Sequence, residues 1–216
     1  PVAFGVDAMG RAYICESERQ EFGVEDNRSS PYWLQDDLAL QTVDDRMAMY
    51  EKHKDRRENG MEYYTAREDR LTCLSDSDGD GIMDTVRPFT DPFAEPLDGT
   101  LAGVLVEDGT AWITNIPHLW IATDADQDGR AESRRSAQRG FGVRIALRGH
   151  DMHGLVRGPD GRIYFSIGDR GFYLETTDGR LMHDAGSGAV FRCEPDGSDL
   201  ELVHVGLRNP QELAFN

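Results

Sequence analysis

The stretch 150-HDMHGLVRGPDGRIYFSIGDRG-171 reads as an apolar strand, a tight Pro159-Asp160-Gly161 turn and a second apolar strand. Glycine after aspartate supplies the positive φ that a short hairpin turn needs. The flanking Val, Ile, Tyr and Phe suit a pleated surface. The pattern occurs twice earlier. Residues 2–6 and 12–15 flank Met9-Gly10, and residues 104–106 and 111–114 flank Asp108-Gly109. A further pair of strand-like runs follows each hairpin: 70–74 and 85–89, then 119–123 and 132–137, then 189–194 and 200–205. From Asp80-Gly81 to Asp128-Gly129 is 48 residues, and from Gly109 to Gly161 is 52. A period of ~40–50 residues with four strands per unit is the mark of propeller blades. The expected fold is all-β, a partial β-propeller of about three four-stranded blades, with 212–215 opening a fourth. Three blades cannot close a ring whose usual range is ~4–8, so further blades are expected outside this stretch.

One segment breaks the repeat. Residues 18–67 fall between the second and third strands of the first unit. Within 34-LQDDLALQTVDDRMAMYEKHKDR-56, Leu34, Leu38, Val43, Met47 and Tyr50 recur near helical spacing, which predicts a helix. An insertion of this length is either a packed decoration or a lid over a site.

The net charge of −17 leaves no basic face for nucleic acid or for an anionic membrane surface. No stretch is apolar for long enough to span a bilayer, and no signal peptide is visible. The chain opens at Pro1 and ends at Asn216 within an apolar run, as expected of a segment of a longer protein. Cys15, Cys73 and Cys193 match no zinc or haem spacing. They allow one bridge with a free thiol or three unpaired strand thiols, and the burial preference of cysteine favours the second.

Strand parity assigns residues to the two ends of the sheets. If the first strand of each unit runs down, the second runs up, the third down and the fourth up. Residues at the start of first strands, and those in second-to-third connections, then share one end. That end collects His150 and His153 before a first strand and Asp169 after a second strand. It also collects Arg208 and Asn209 in a fourth-to-first connection, Asn115, His118 and the 18–67 insertion. Histidine, carboxylate and guanidinium converging on strand ends are the parts of an acid–base site. The opposite end receives 76-DSDGDGIMD-84 and 124-DADQDGRAE-132. Acids at alternate positions, then glycine, then an acid at position nine wrap a calcium ion with hard oxygen donors. The candidate ligands are Asp76, Asp78, Asp80 and Asp84, then Asp124, Asp126, Asp128 and Glu132. Arg87 and Arg135 stand where an EF-hand places its glutamate, so these are EF-like loops without the EF-hand.

The segments 150–171 and 206-GLRNPQELAF-215 resemble the soluble glucose/sorbosone dehydrogenases, six-bladed propellers that use pyrroloquinoline quinone. The whole chain looks more like the propeller of the PVC-type membrane-bound dehydrogenases, large secreted proteins that often carry a C-terminal haem c domain. The resemblance implies roles residue by residue. His150, aligned through 158-GPDG-161, takes the place of the general base, and His153 falls where the family has glycine. Asp169 matches the carboxylate that orients the base. Arg208 matches the arginine facing the quinone, with Asn209 and Gln211 as further cofactor contacts. Paired glycines of the family are replaced by Met152 and His153, which puts bulk where a flat cofactor approaches the backbone. By resemblance, the expected function is oxidation of a sugar or other alcohol in the periplasm or outside the cell, with a c-type haem domain as electron acceptor. The alternative is a calcium-stabilised, non-catalytic propeller that binds a glycan or a protein partner.

Overall fold

The computed structural model describes residues 1–176 and 179–216. Its architecture is mostly β. Three four-stranded antiparallel sheets follow one another along the chain. Sheet one is β1 (Ala3–Val6), β2 (Ala12–Ser17), β3 (Asp69–Ser75) and β4 (Thr85–Pro88). Sheet two is β5 (Gly103–Glu107), β6 (Thr110–Asn115), β7 (His118–Thr123) and β8 (Ser133–Arg139). In sheet three, β9 (Met152–Arg157) and β10 (Ile163–Ile167) pair with β13 (Gly188–Cys193) and β14 (Glu201–Leu207). A two-stranded hairpin, β11 (Phe172–Glu175) and β12 (Leu181–Asp184), stands between β10 and β13.

The sheets stack through their alternating faces. Tyr13, Cys15, Leu71 and Cys73 of sheet one meet Val104, Val106, Ala111 and Ile113 of sheet two in one core. Trp112, Leu119 and Ile121 point the other way and meet Ile163, Phe165, Ile167 and Phe191 in the next. Period-two side chains thus give sheet two an apolar face on each side. The first strands lie side by side, β1 against β5 and β5 against β9. Glycine permits the first approach, and another lets the C-terminal segment pass close to β9. A Cβ on Gly5 would stand 3.1 Å from the Val104 carbonyl oxygen, and one on Gly154 would stand 3.0 Å from Leu213 Cγ. The three cysteines are buried and unpaired.

Two expectations change. Residues 212–215 are not a strand. They run past sheet three, with the Phe215 ring 4.9 Å from Tyr164, but pair with no strand neighbour among the described residues. The single helix of 34–56 is two, α1 (Leu34–Ala39) and α2 (Val43–His53). Leu40 is extended, and Thr42 opens the second helix with a reciprocal capping box to Asp45. Consequently Val43, Met49 and Tyr50 are buried, whereas Leu34 and Leu38 are exposed.

The insertion between β2 and β3 has its own core of Trp33, Leu40, Val43, Met49, Tyr50 and Tyr64, and shares it with Val143 and Ile145. It therefore lies at the end of the sheets where β9 begins. The two aspartate loops lie at the other end, beside the hairpin turns: the Asp124 amide donates to the Gly109 carbonyl at 2.8 Å. Among the described residues no helix is long and apolar enough to cross a membrane.

Candidate functional site

The chain reaches β9 through a tight turn, with the His150 amide donating to Leu147 O and Gly149 at φ +81°. Gly168 is pressed against this turn: a Cβ there would stand 2.6 Å from His150 O and 2.8 Å from its Cα. Only glycine allows that approach, and it lays Asp169 beside the imidazole. His150 Nδ1 and Asp169 Oδ1 are 2.6 Å apart. The imidazole is largely buried, and its Nε2 makes no hydrogen bond among the described residues. An aspartate on Nδ1 fixes the tautomer that leaves Nε2 with its lone pair.

The Asp169 amide donates to the Arg208 carbonyl at 2.7 Å, so the end of β14 is tied to the same edge. Through this backbone bond the fold gathers three sequence-distant segments. The Arg208 side chain is exposed and makes no ion pair among the described residues. Asn209 is half-buried, with an Oδ1 that has no hydrogen-bond partner, and Gln211 is exposed. His153 is turned back, its Nε2 3.1 Å from Gly149 O, and does not join the pair. Met152 is fully buried in the core between sheets two and three, so its bulk is not at this edge.

Asn115 and His118 stand at the β6–β7 turn. Asn115 is buried and donates to Gly99 O. His118 Nδ1 is 2.7 Å from Ser136 Oγ. Burial, reinforced by Arg139 and Arg134, pushes the His118 pKa down to about 4, so it is neutral at pH 7.

A layer of buried charge separates this end from the insertion, and sequence reasoning missed it. Asp151, Arg170 and Arg46 are each at most 1% exposed. Arg170 Nη1 is 3.4 Å from Asp151 Oδ1, neither oxygen of which accepts a hydrogen bond. No local pattern distinguishes these residues from ordinary surface charges. The nearest signal is position, since Asp151 and Arg170 directly follow His150 and Asp169.

At the opposite end, Asp124, Asp126, Asp128 and Glu132 bring carboxylate oxygens within 4.8 Å of one another, as do Asp76, Asp78 and Asp80. Asp84 lies outside its cluster because it accepts from the amide and hydroxyl of Ser77. Asp124 is also 3.3 Å from Arg11 Nη1, which docks the second loop onto sheet one.

Fold and site thus define a mostly-β chain of successive antiparallel sheets with a histidine–aspartate pair at one end. Across residues 1–216 it matches the model of a domain of unknown function, DUF7133, and it belongs to that family. No curated protein and no solved structure matches it.

Proposed function

We propose that the three sheets are blades of a larger propeller, and that the His150 end is the active end of a quinone-dependent dehydrogenase of sugars or other alcohols. The observation that carries this reading is the 2.6 Å His150–Asp169 pair, joined through the Asp169 amide to the Arg208-Asn209 segment. An imidazole with an orienting carboxylate and an unpartnered Nε2 is equipped to take a hydroxyl proton near neutral pH. Asp169 stabilises the imidazolium so formed.

The residues at this edge fit pyrroloquinoline quinone. Among the described residues Arg208 makes no ion pair, and Asn209 Oδ1 is buried without a partner. A guanidinium suits the carboxylates and carbonyls of such a molecule, and the Asn209 Oδ1 is an acceptor for one of its N–H or O–H donors. The quinone, when bound, supplies the two-electron oxidising power. Arg208 stabilises negative charge that develops beside it, and Asn209 and Gln211 orient it. Phe4 at 71% and Val6 at 57% exposure lie on the open side of sheet one, as expected where a further blade packs. Calcium held by the two aspartate loops serves the fold at the far end. The resemblance to the PVC-type dehydrogenases supports a location in the periplasm or outside the cell, with a c-type haem domain as electron acceptor.

The test is a dye-linked assay of the full-length protein with pyrroloquinoline quinone and calcium, over a panel of sugars and alcohols. Quinone-dependent turnover is expected, and His150→Ala should slow it by ~10²–10⁴-fold, the usual contribution of a general base. Turnover that does not require the quinone, or that survives His150→Ala, contradicts the reading.

A further inference from the structure

The loop that delivers His150 is held mainly from outside its own sheet. Residues 144–148 carry no regular structure, and Ala146 has φ +44°, a left-handed conformation that a non-glycine residue adopts only when its surroundings hold it there. The sheet side contributes the Arg144 amide, which donates to Arg170 O at 2.8 Å, but most of the bonds come from the insertion. Asp37 Oδ1 accepts the Ile145 amide at 2.6 Å, and Asp26 Oδ2 accepts the Arg148 amide at 3.0 Å. The Asn27 amide donates to Ala146 O at 3.1 Å. Arg144 Nη2 reaches Leu38 O at 2.9 Å, and Arg148 Nη1 reaches Gln20 O. From the sheet side, Arg170 reaches Leu147 O through Nε and Glu25 O through Nη2. Both insertion carboxylates are 1% exposed. Asp26 is further fixed by Arg28, whose guanidinium lowers its pKa, and Asp37 by Asn27.

We propose that the insertion is a fixed clamp on the 144–148 loop, and that Asp26 and Asp37 are positioning residues for His150. Two buried carboxylates accept the Ile145 and Arg148 amides of this loop, within five residues of the imidazole. Val143 and Ile145 anchor the same loop in the insertion's apolar core. A hinged lid would meet the site through a weakly bonded edge, whereas this contact is made by several hydrogen bonds, with the Asp37–Ile145 bond and both carboxylates buried. Asp26 and Asp37 act through the backbone and need not touch a substrate. The catalytic meaning of the clamp rests on the reading of His150 as a base; the clamp itself does not.

Two readouts test it without an activity assay: hydrogen exchange at the Ile145 and Arg148 amides, and the NMR signal of the His150 ring proton shared with Asp169, assigned by its loss in His150→Gln. In Asp26→Ala and Asp37→Ala, exchange at Arg148 and Ile145 should quicken by about tenfold or more, as local opening becomes easier, and the ring signal should shift or broaden. Asp26→Asn, which keeps an acceptor oxygen, should restore both. Asp36→Ala, in the same insertion but bonded to Lys52 and His53, should change neither. Ala146→Gly, which relieves the positive φ and so preserves folding, should raise Tm and leave the ring signal in place. Unchanged exchange and signal in the aspartate variants, an equal effect from Asp36→Ala, or a displaced signal in Ala146→Gly would each overturn the clamp. In full-length protein that turns over alcohols, the aspartate variants should lower kcat with little change in KM. Absence of turnover in the wild type removes the dehydrogenase reading and leaves exchange and ring signal to decide the clamp.

Discussion

Asp98 shows how closely the insertion side of the molecule is packed. It is 6% exposed and accepts the Glu95 amide, and burial pushes its pKa up from 3.8 to about 6. A carboxylate whose folded pKa exceeds its unfolded value contributes stability below the unfolded pKa and loses it as pH rises through the folded one. The loss therefore falls between about pH 4 and pH 6. Asp98→Asn should match the wild type at pH 4 and be more stable by about 1–3 kcal/mol at pH 7, measured by urea unfolding at both pH values. Equal stability at pH 7 would show that the carboxylate carries no burial cost. At the same scale, His153→Gly should alter turnover far less than His150→Ala, because His153 is bonded to its own turn. The pairing of His150 with Asp169 was legible because strand parity puts both on one end. Asp26, Asp37, Asp151 and Arg170 were not legible: their burial depends on a partner more than a hundred residues away, or on a neighbouring sheet, and a lone sequence marks them as surface charges.

Among the elements, the strands of the three sheets were legible from alternation and glycine turns, and their ranges overlap the expected ones. The β11–β12 hairpin was not anticipated, although 172-FYLE-175 and 181-LMHD-184 flank a Gly179 turn signal. Its strands are short, and its apolar residues Phe172 and Leu174 serve the core between sheets two and three. Phe172 meets Phe191 at 5.0 Å, and Phe141 and Phe165 complete the cluster. Phe191→Ala should cost about 3–5 kcal/mol, the penalty of emptying an aromatic site in a close-packed core; a loss below about 1 kcal/mol in thermal unfolding would show that the cluster collapses to fill it. The split of the insertion helix turns on Thr42. Spacing alone carries the periodicity through residues 40–42, but a threonine followed three residues later by an acid starts a new helix. Thr42→Ala should destabilise by ~1 kcal/mol.

At the scale of the whole molecule, a net charge of −17 must be held in a compact chain. The two aspartate loops concentrate part of it at one end. A calcium ion that binds only the folded state stabilises it by about 3 kcal/mol at a hundredfold excess over Kd. Calcium should therefore raise Tm, and Asp78→Ala and Asp128→Ala should each remove part of the rise; a calcium-independent Tm would end the metal reading. The ends of the sheets sort as parity requires, with insertion, His150 and Asp169 at one end and both acidic loops at the other. Residues 212–215 were over-read as a strand because an apolar run shows propensity but not a pairing partner. The central claim, that the His150 end receives a quinone, is tested most directly by titrating the full-length protein with pyrroloquinoline quinone in the presence of calcium. Saturable one-to-one uptake is predicted. Arg208→Ala should weaken it by about tenfold or more, the worth of a charge-assisted hydrogen bond. No saturable uptake, or equal uptake by Arg208→Ala, would contradict the account.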